Sequence, residues 1–178
     1  MNSRKSNAMF RKAAFAVVVI ASTLWAGMGA GAQGTFSTID LKTQVGLSSR
    51  LNNKIPLDDI FRDENGKLIT LGQYFGQKPV ILIMPFYKCP GICTLEMDGL
   101  LQTVKSKELG LKLAKDYQIV TVSINPKETP EIAMAKKQDY MSLLGHPDED
   151  AGWHFLTGAV GSIHELAQAV GFRYLYDP

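Results

Sequence analysis

The sequence predicts an α/β fold in which a central mixed sheet is flanked by helices. Residues 80–87 form a continuous apolar run of strand length, which is typical of a strand buried on both faces of a sheet. Residues 117–124 are the next predicted strand. A helix is predicted after each strand, one beginning at Cys93, where apolar residues recur at helical spacing, and one at Ile132. This alternation of strands and helices indicates an α/β sandwich.

A β-hairpin is predicted at the N-terminal side of these elements. Its strands are residues 60–62 and 67–70, and Asn65-Gly66 lies in the turn between them. Both residues of this dipeptide tolerate a positive φ, which tight hairpin turns require.

Further along, Pro85 cannot donate a ladder hydrogen bond, so the strand that begins at residue 80 is expected to end near it.

The C-terminal third is predicted to contain two capped helices. Thr129 is the expected N-cap of the first, because Pro130 suits the first helical position. Ser162 is the expected N-cap of the second, residues 163–170, because Glu165 follows three residues later as in a capping box. The remaining predicted strands are residues 153–157 and 172–176. The sequence ends directly after the last strand, which suggests that the C-terminal part of the domain is missing.

The N-terminal 32 residues have the pattern of an export signal. Basic residues precede an apolar run at residues 13–25, and Ala30-Gly31-Ala32 supplies a small-residue cleavage site. The run is shorter than the roughly 20 residues of a membrane span, so a cleaved signal is favoured over a retained N-terminal anchor. A polar linker at residues 33–54 and a domain at residues 55–178 are expected to follow. We therefore expect an exported protein of the bacterial periplasm, held at the inner membrane if the segment is retained.

The distribution of charge argues against a nucleic-acid-binding role. Residues 1–32 hold four of the 19 basic residues and no acidic one, which leaves 15 basic against 17 acidic residues in the rest of the chain. A nearly neutral body without a basic stripe has no electrostatic reason to bind nucleic acid.

The two cysteines, Cys89 and Cys93, form the predicted chemical centre. They lie in Lys-Cys-Pro-Gly-Ile-Cys-Thr, where a buried strand turns into a helix. The N-terminus of a helix stabilises a thiolate. A disulfide across so short a loop would stabilise the fold little. Two soft sulfurs suit Cu(I), and an added imidazole would also hold Cu(II), whereas structural zinc needs four ligands. Spacing alone leaves a metal carrier and a thiol reductant equally open.

Several segments resemble the Sco/SenC family of copper chaperones for cytochrome c oxidase assembly. They are residues 78–82, 89–94, 122–130, 153–158 and 171–174, and the resemblance spans about residues 55–178. It implies a thioredoxin-like fold and a copper ion bound by Cys89, Cys93 and one histidine. It also implies dithiol redox activity toward the copper-site cysteines of a partner. The expected partner is oxidase subunit II or another copper-site protein. A copper carrier is therefore expected, with an exported thiol–disulfide oxidoreductase as the alternative.

The histidine ligand of the family is the one departure from this resemblance. It lies downstream of the segment matched by residues 172–176, in a stretch that this chain lacks. His146 is expected in a polar loop, His154 in a packed strand and His164 on a helix surface. None is predicted to be a ligand, so the expected metal site consists of Cys89 and Cys93, with the third ligand absent from this chain.

Overall fold

The computed structural model describes residues 44–106 and 110–176, which contain seven strands and three α-helices. The strands are β1 (Gly46–Leu47), β2 (Ile60–Arg62), β3 (Leu68–Thr70), β4 (Val80–Ile83), β5 (Gln118–Val122), β6 (Trp153–Gly158) and β7 (Phe172–Arg173). The helices are α1 (Ile92–Ser106), α2 (Pro130–Leu144) and α3 (Val160–Val170), with 3-10 turns at Leu71–Tyr74 and Pro147–Gly152. The predicted export segment and residues 33–43 of the predicted linker lie outside the described residues.

Five strands form the central sheet in the order β3-β2-β6-β5-β4. Strands β4, β5 and β6 are parallel, whereas β2 pairs antiparallel with both β6 and β3. The prediction of a mixed sheet with an N-terminal hairpin is therefore confirmed. Because β4, β5 and β6 run in the same direction, the loops that leave their carboxyl ends meet at one edge of the sheet, here called the carboxyl edge.

Two apolar clusters cover the two faces of this sheet. One cluster joins α1 and α2 to the sheet through Met97, Tyr140 and Phe155. The other joins α3 to the opposite face and includes Leu166 of α3 and Leu156 of β6. Phe155 and Leu156 are neighbours in β6 and enter different clusters, because successive side chains of a strand point to opposite faces. Helices therefore cover both faces, as the apolar runs predict.

The predicted start of α3 is wrong. The N-cap is Ala159, which has an extended backbone (φ −72°, ψ 158°), and Ser162 lies within the first turn. Strand β6 continues to Gly158, and the amide of Ile163 bonds to the carbonyl of Ala159 at 3.1 Å. The chain thus turns from strand to helix too early for Ser162 to act as the cap. By contrast, Thr129 does occupy the N-cap position of α2.

Four strands, β3, β4, β5 and β7, are shorter than predicted, and the difference is largest for β4 and β7. Strand β4 ends at Ile83, before Pro85, so the predicted strand of residues 80–87 is too long. The last strand is limited to Phe172–Arg173, because it pairs with only two residues of β1. The amide of Ser48 also donates to the carbonyl of Gly171 at 2.8 Å. Residues 46–48, from the segment predicted as linker, are therefore bound to the end of α3.

Membrane-spanning helices are absent from the two described stretches, in which no helix combines the necessary length and apolar character.

Candidate dithiol site

The two cysteines lie where the sequence places them, between strand β4 and helix α1. Cys89 is in the loop at the carboxyl edge, and Cys93 is the second residue of α1. Both are half-buried free thiols. The amide of Cys89 donates to the carbonyl of Phe86 at 3.2 Å, and the Thr94 hydroxyl donates to the carbonyl of Cys89 at 2.7 Å. These bonds hold the loop against the first turn of the helix.

The protein environment separates the acidities of the two thiols. Backbone N–H groups of Cys93 and Gly91 lower the pKa of Cys89, with further help from the Cys93 thiol and the Lys136 ammonium. Burial is the main cause that raises the pKa of Cys93, and the charges of Cys89 and Glu96 add to it. Cys89 is therefore the more acidic thiol of the pair, and Cys93 is the less acidic one.

This arrangement permits two kinds of chemistry. A thiolate near the surface is both a nucleophile and a soft metal ligand. The two side chains are near enough to shift each other's pKa, so the sulfur of Cys93 is placed to act together with that of Cys89. The donor set fits Cu(I), which favours sulfur ligands in small number.

The Glu128 side chain holds the cysteine loop in place through hydrogen bonds to its backbone. Its buried carboxylate accepts the amides of Tyr87 at 2.9 Å and Lys88 at 2.8 Å, and it also accepts the Ser123 hydroxyl. Lys88 directly precedes Cys89, so the position of Cys89 depends on a carboxylate that follows strand β5. In the sequence, Glu128 lies in a segment, residues 122–130, that resembles the Sco/SenC family, and no role is predicted for its side chain. The available signal was an acidic residue after a buried parallel strand, at the edge where the cysteines were expected.

Tyr87 is fixed by a second set of contacts. Its hydroxyl lies 2.9 Å from the carbonyl of Thr121 and 2.8 Å from that of Leu156, at hydrogen-bonding distance from both. Complete burial raises the pKa of Tyr87 well above its ordinary value. The residue therefore remains a neutral donor that ties the start of the cysteine loop to strands β5 and β6.

The three histidines do not join the cysteines in a metal centre. His146 precedes the 3-10 turn at Pro147–Gly152, and exposed His164 pairs with Gln168 at 2.7 Å. His154 packs on Tyr74, with ring centroids 4.3 Å apart, and burial lowers its pKa. Within residues 44–106 and 110–176, no three His, Cys, Asp or Glu side chains are grouped to hold a metal ion.

Fold and site together define a thioredoxin-like protein with a Cys-x-x-x-Cys dithiol at the carboxyl edge of its sheet. The family model described as SCO1/SenC matches residues 58–178, so the chain belongs to the SCO1/SenC family. The resemblance seen in the sequence is thereby confirmed. A comparison with curated proteins gave no match.

Solved structures support the same fold. A candidate electron transfer protein from Aquifex aeolicus VF5 is 26% identical with a TM-score of 0.58, over 74% of this chain and 77% of that one. Copper-bound ScoI from Arabidopsis thaliana is 25% identical with a TM-score of 0.51, over 66% of each chain. A SCO1/SenC family lipoprotein from Bacillus anthracis str. Ames is 20% identical with a TM-score of 0.53, over 70% and 69%, a likeness of fold alone.

Proposed function

We propose that this protein is a copper carrier that delivers the metal to cytochrome c oxidase, with Cys89 and Cys93 as two of its ligands. The pair of thiols at the turn into α1, one of them made more acidic by backbone N–H groups, carries this proposal. Membership of the SCO1/SenC family supports it, as does the copper in the plant ScoI structure. A histidine is the expected third ligand, by resemblance to the family.

The place of action follows from the same reasoning. The basic and apolar N-terminal segment supports export to the bacterial periplasm, with attachment to the inner membrane if the segment is retained. The partner proposed there is oxidase subunit II or another protein with a copper site formed by cysteines.

Copper titration tests the ligand assignment. Under anaerobic conditions the reduced protein should bind about one equivalent of Cu(I), measured by competition with a chromogenic Cu(I) chelator. Cys89→Ser and Cys93→Ser should each abolish this binding, because one thiolate cannot hold the ion against the chelator. His164→Ala is the matched control. It removes an exposed imidazole, a group that is able to bind copper but is not predicted to be a ligand, and it should leave binding unchanged. Stoichiometric binding that survives in Cys89→Ser would refute the assignment.

A second function, thiol–disulfide exchange, is favoured by the unequal pKa values of the two thiols. The Cys89 thiolate would attack a disulfide of the partner, form a mixed disulfide and release one partner thiolate. The sulfur of Cys93, after losing its proton, would then displace the second partner thiolate. The products are a Cys89–Cys93 disulfide and a reduced partner, so two electrons pass from this protein to the partner.

Trapping distinguishes this second function from copper carriage. With an oxidised peptide bearing the copper-site cysteines of the partner, Cys93→Ser should accumulate a mixed disulfide through Cys89, visible by non-reducing electrophoresis and mass spectrometry. Cys89→Ser should accumulate none. An absence of any adduct with Cys93→Ser would count against exchange while leaving the copper titration unaffected.

A further inference from the structure

A buried polar network lies next to the cysteine loop at the carboxyl edge. Its members are Ser123, Asn125 and Glu128, all at most 9% exposed, and all three lie in the segment that leaves strand β5. Buried polar groups are unfavourable unless they are hydrogen-bonded, so the contacts among them restrict the conformations of this segment. The network therefore decides where the Glu128 carboxylate, which holds the cysteine loop, is placed.

The Ser123 hydroxyl is the junction of the network. It donates to the Glu128 carboxylate and accepts the amide of Asn125 at 3.0 Å. The side-chain oxygen of Asn125 accepts the amide of Lys127 at 3.0 Å, which closes a turn directly before Glu128. The amide of Glu128 also donates to the carbonyl of Asn125 at 3.0 Å. The position of Glu128 thus depends on the position of Asn125.

Tyr176, which follows strand β7, contacts this network from a distant part of the chain. Its hydroxyl donates to the side-chain oxygen of Asn125 at 3.0 Å, across 51 residues of sequence. The direction of this bond is fixed, because the oxygen of an amide side chain can only accept. Tyr174, two residues earlier, differs, since its hydroxyl lies 3.5 Å from the carbonyl of Ile124, longer than an ordinary hydroxyl hydrogen bond.

We propose that Tyr176 is a positioning residue for Cys89. Its hydroxyl holds the side chain of Asn125, and Asn125 is joined to Glu128 through one buried hydroxyl. Glu128 in turn accepts the amide of Lys88, the residue before Cys89. The inference rests on the proposed function, because it takes Cys89 as the working thiol.

The effect on Cys89 follows from the source of its acidity. Backbone N–H groups of Gly91 and Cys93 lower the pKa of Cys89, and they act on the sulfur only while the loop keeps its conformation. Loss of the Tyr176 hydroxyl should loosen the loop and make Cys89 less acidic. A residue that only stabilises the fold would leave the acidity of Cys89 unchanged.

Alkylation by iodoacetamide tests the proposal in the Cys93→Ser protein, where Cys89 is the one remaining thiol. Tyr176→Phe removes only the hydroxyl. At a pH about one unit below the alkylation midpoint of the parent protein, it should slow the reaction about two- to threefold, because the rate follows the thiolate fraction. Tyr174→Phe is the matched control and should leave the rate unchanged. Thermal midpoints verify that both variants are folded.

Combination with Glu128→Gln identifies the route of the effect. Glu128→Gln should itself slow alkylation, and Tyr176→Phe should slow it no further in that background, because two changes on one path are not additive. Equal rates for Tyr176→Phe and Tyr174→Phe, or the same slowing with and without Glu128→Gln, would overturn the proposal. The assay contains neither copper nor a partner, so its failure would leave the copper titration, and with it the proposed function, unaffected.

Discussion

At the scale of single residues, the site depends on how the protein treats two identical side chains. Cys89 receives N–H donors from Gly91 and from the backbone of Cys93, whereas the Cys93 side chain lies deeper and next to a negative sulfur. Donors favour a thiolate and burial disfavours it, so the two pKa values move in opposite directions. This asymmetry would serve both proposed functions, copper binding and thiol exchange, because each needs a thiolate and Cys89 is the more acidic thiol.

Alkylation rates should reveal the asymmetry. Thiol reactivity follows the thiolate fraction, so the iodoacetamide rate of Cys89 in a Cys93→Ser variant should reach half its maximum below the ordinary cysteine pKa of about 8.5. In Cys89→Ser, the midpoint for Cys93 should lie above that value, because burial is the largest cause of its shift and remains. Equal midpoints, or the reverse order, would contradict the assignment of Cys89 as the more acidic thiol.

Glu128 should affect both the stability of the protein and the pKa of the Cys89 thiol. Glu128→Ala leaves the amides of Tyr87 and Lys88 without their acceptor, which should cost about 2–4 kcal/mol of unfolding free energy in urea titrations. Glu128→Gln keeps one acceptor oxygen and should lose less. Since the loop is then held less firmly, the alkylation midpoint of Cys89 should move toward the ordinary value.

The exposed residue Glu131 offers the matched control for this substitution. Glu131→Ala should leave the unfolding free energy nearly unchanged, because an exposed acid in a first helical turn contributes only a modest dipole interaction. If Glu128→Ala were no more destabilising than Glu131→Ala, Glu128 would not be the anchor of the loop.

At the scale of elements, one buried ion pair joins the hairpin to α2. The Lys137 ammonium lies 2.6 Å from the Glu64 carboxylate, with both side chains at most 10% exposed. Glu64 also accepts the amide of Phe155 at 3.2 Å, which links the hairpin to β6. The sequence predicted the hairpin and the helix separately, but no local pattern indicated that charged residues 73 positions apart would meet.

Removing the lysine should strongly destabilise the protein. Lys137→Met leaves Glu64 as a buried charge without its counterion, which costs about 3–5 kcal/mol in comparable pairs. Lys136→Met, one position away, should cost only about 0.5–1 kcal/mol, because it loses a cation–π contact with Tyr140. Denaturant unfolding measures both values, and similar losses for the two variants would contradict a special role for Lys137.

The Glu64–Lys137 pair should also make the stability of the protein depend on pH. Burial alone would raise the pKa of Glu64, but hydrogen bonds and the charge of Lys137 lower it below its ordinary value. A lowered carboxyl pKa stabilises the fold above the unfolded value of about 4.3, and this contribution is lost as pH falls through the folded value. The stability gap between the unaltered protein and Lys137→Met should therefore narrow below about pH 4. A gap that stays constant to pH 3 would show that the pair is not the cause.

At the scale of the described molecule, the parallel strands collect the functional parts at one edge. The cysteine loop follows β4, and the loop that carries Glu128 follows β5. The opposite ends of the chain segment also meet, since β1 pairs with β7 beyond α3. Gly171, which ends α3, permits this contact with its positive φ of 80°.

Alanine substitutions at two glycines with the same backbone conformation test the contact between residues 46–48 and the end of α3. A Cβ at Gly171 would lie 2.0 Å from the carbonyl oxygen of Ser48, whereas a Cβ at Gly145, with a φ of 75°, would have nothing within 4 Å. Gly145→Ala should cost about 1–2 kcal/mol, the ordinary strain of a left-handed alanine. Gly171→Ala should cost more and increase hydrogen exchange at the Ser48 amide. Equal costs would indicate that residues 46–48 are not held against α3.

The sequence by itself determined the local features of this protein. Apolar runs and helical spacing predicted the central strands and helices, Asn65-Gly66 predicted the hairpin, and the strand-to-helix turn predicted the place of both cysteines. These features are encoded in neighbouring residues, through backbone preferences and the period of the side chains. The resemblance carried by the same segments also indicated the family correctly.

Only the tertiary structure decided which distant residues meet. The anchoring of Tyr87 by Glu128, 41 residues away, depends on β4 and β5 being neighbours, and the pairing of Glu64 with Lys137 depends on where α2 crosses the sheet. The start of α3 at Ala159 depends on how far β6 is paired. Each is a choice among strand orders and packings that share one local pattern, and burial of the whole core selects between them.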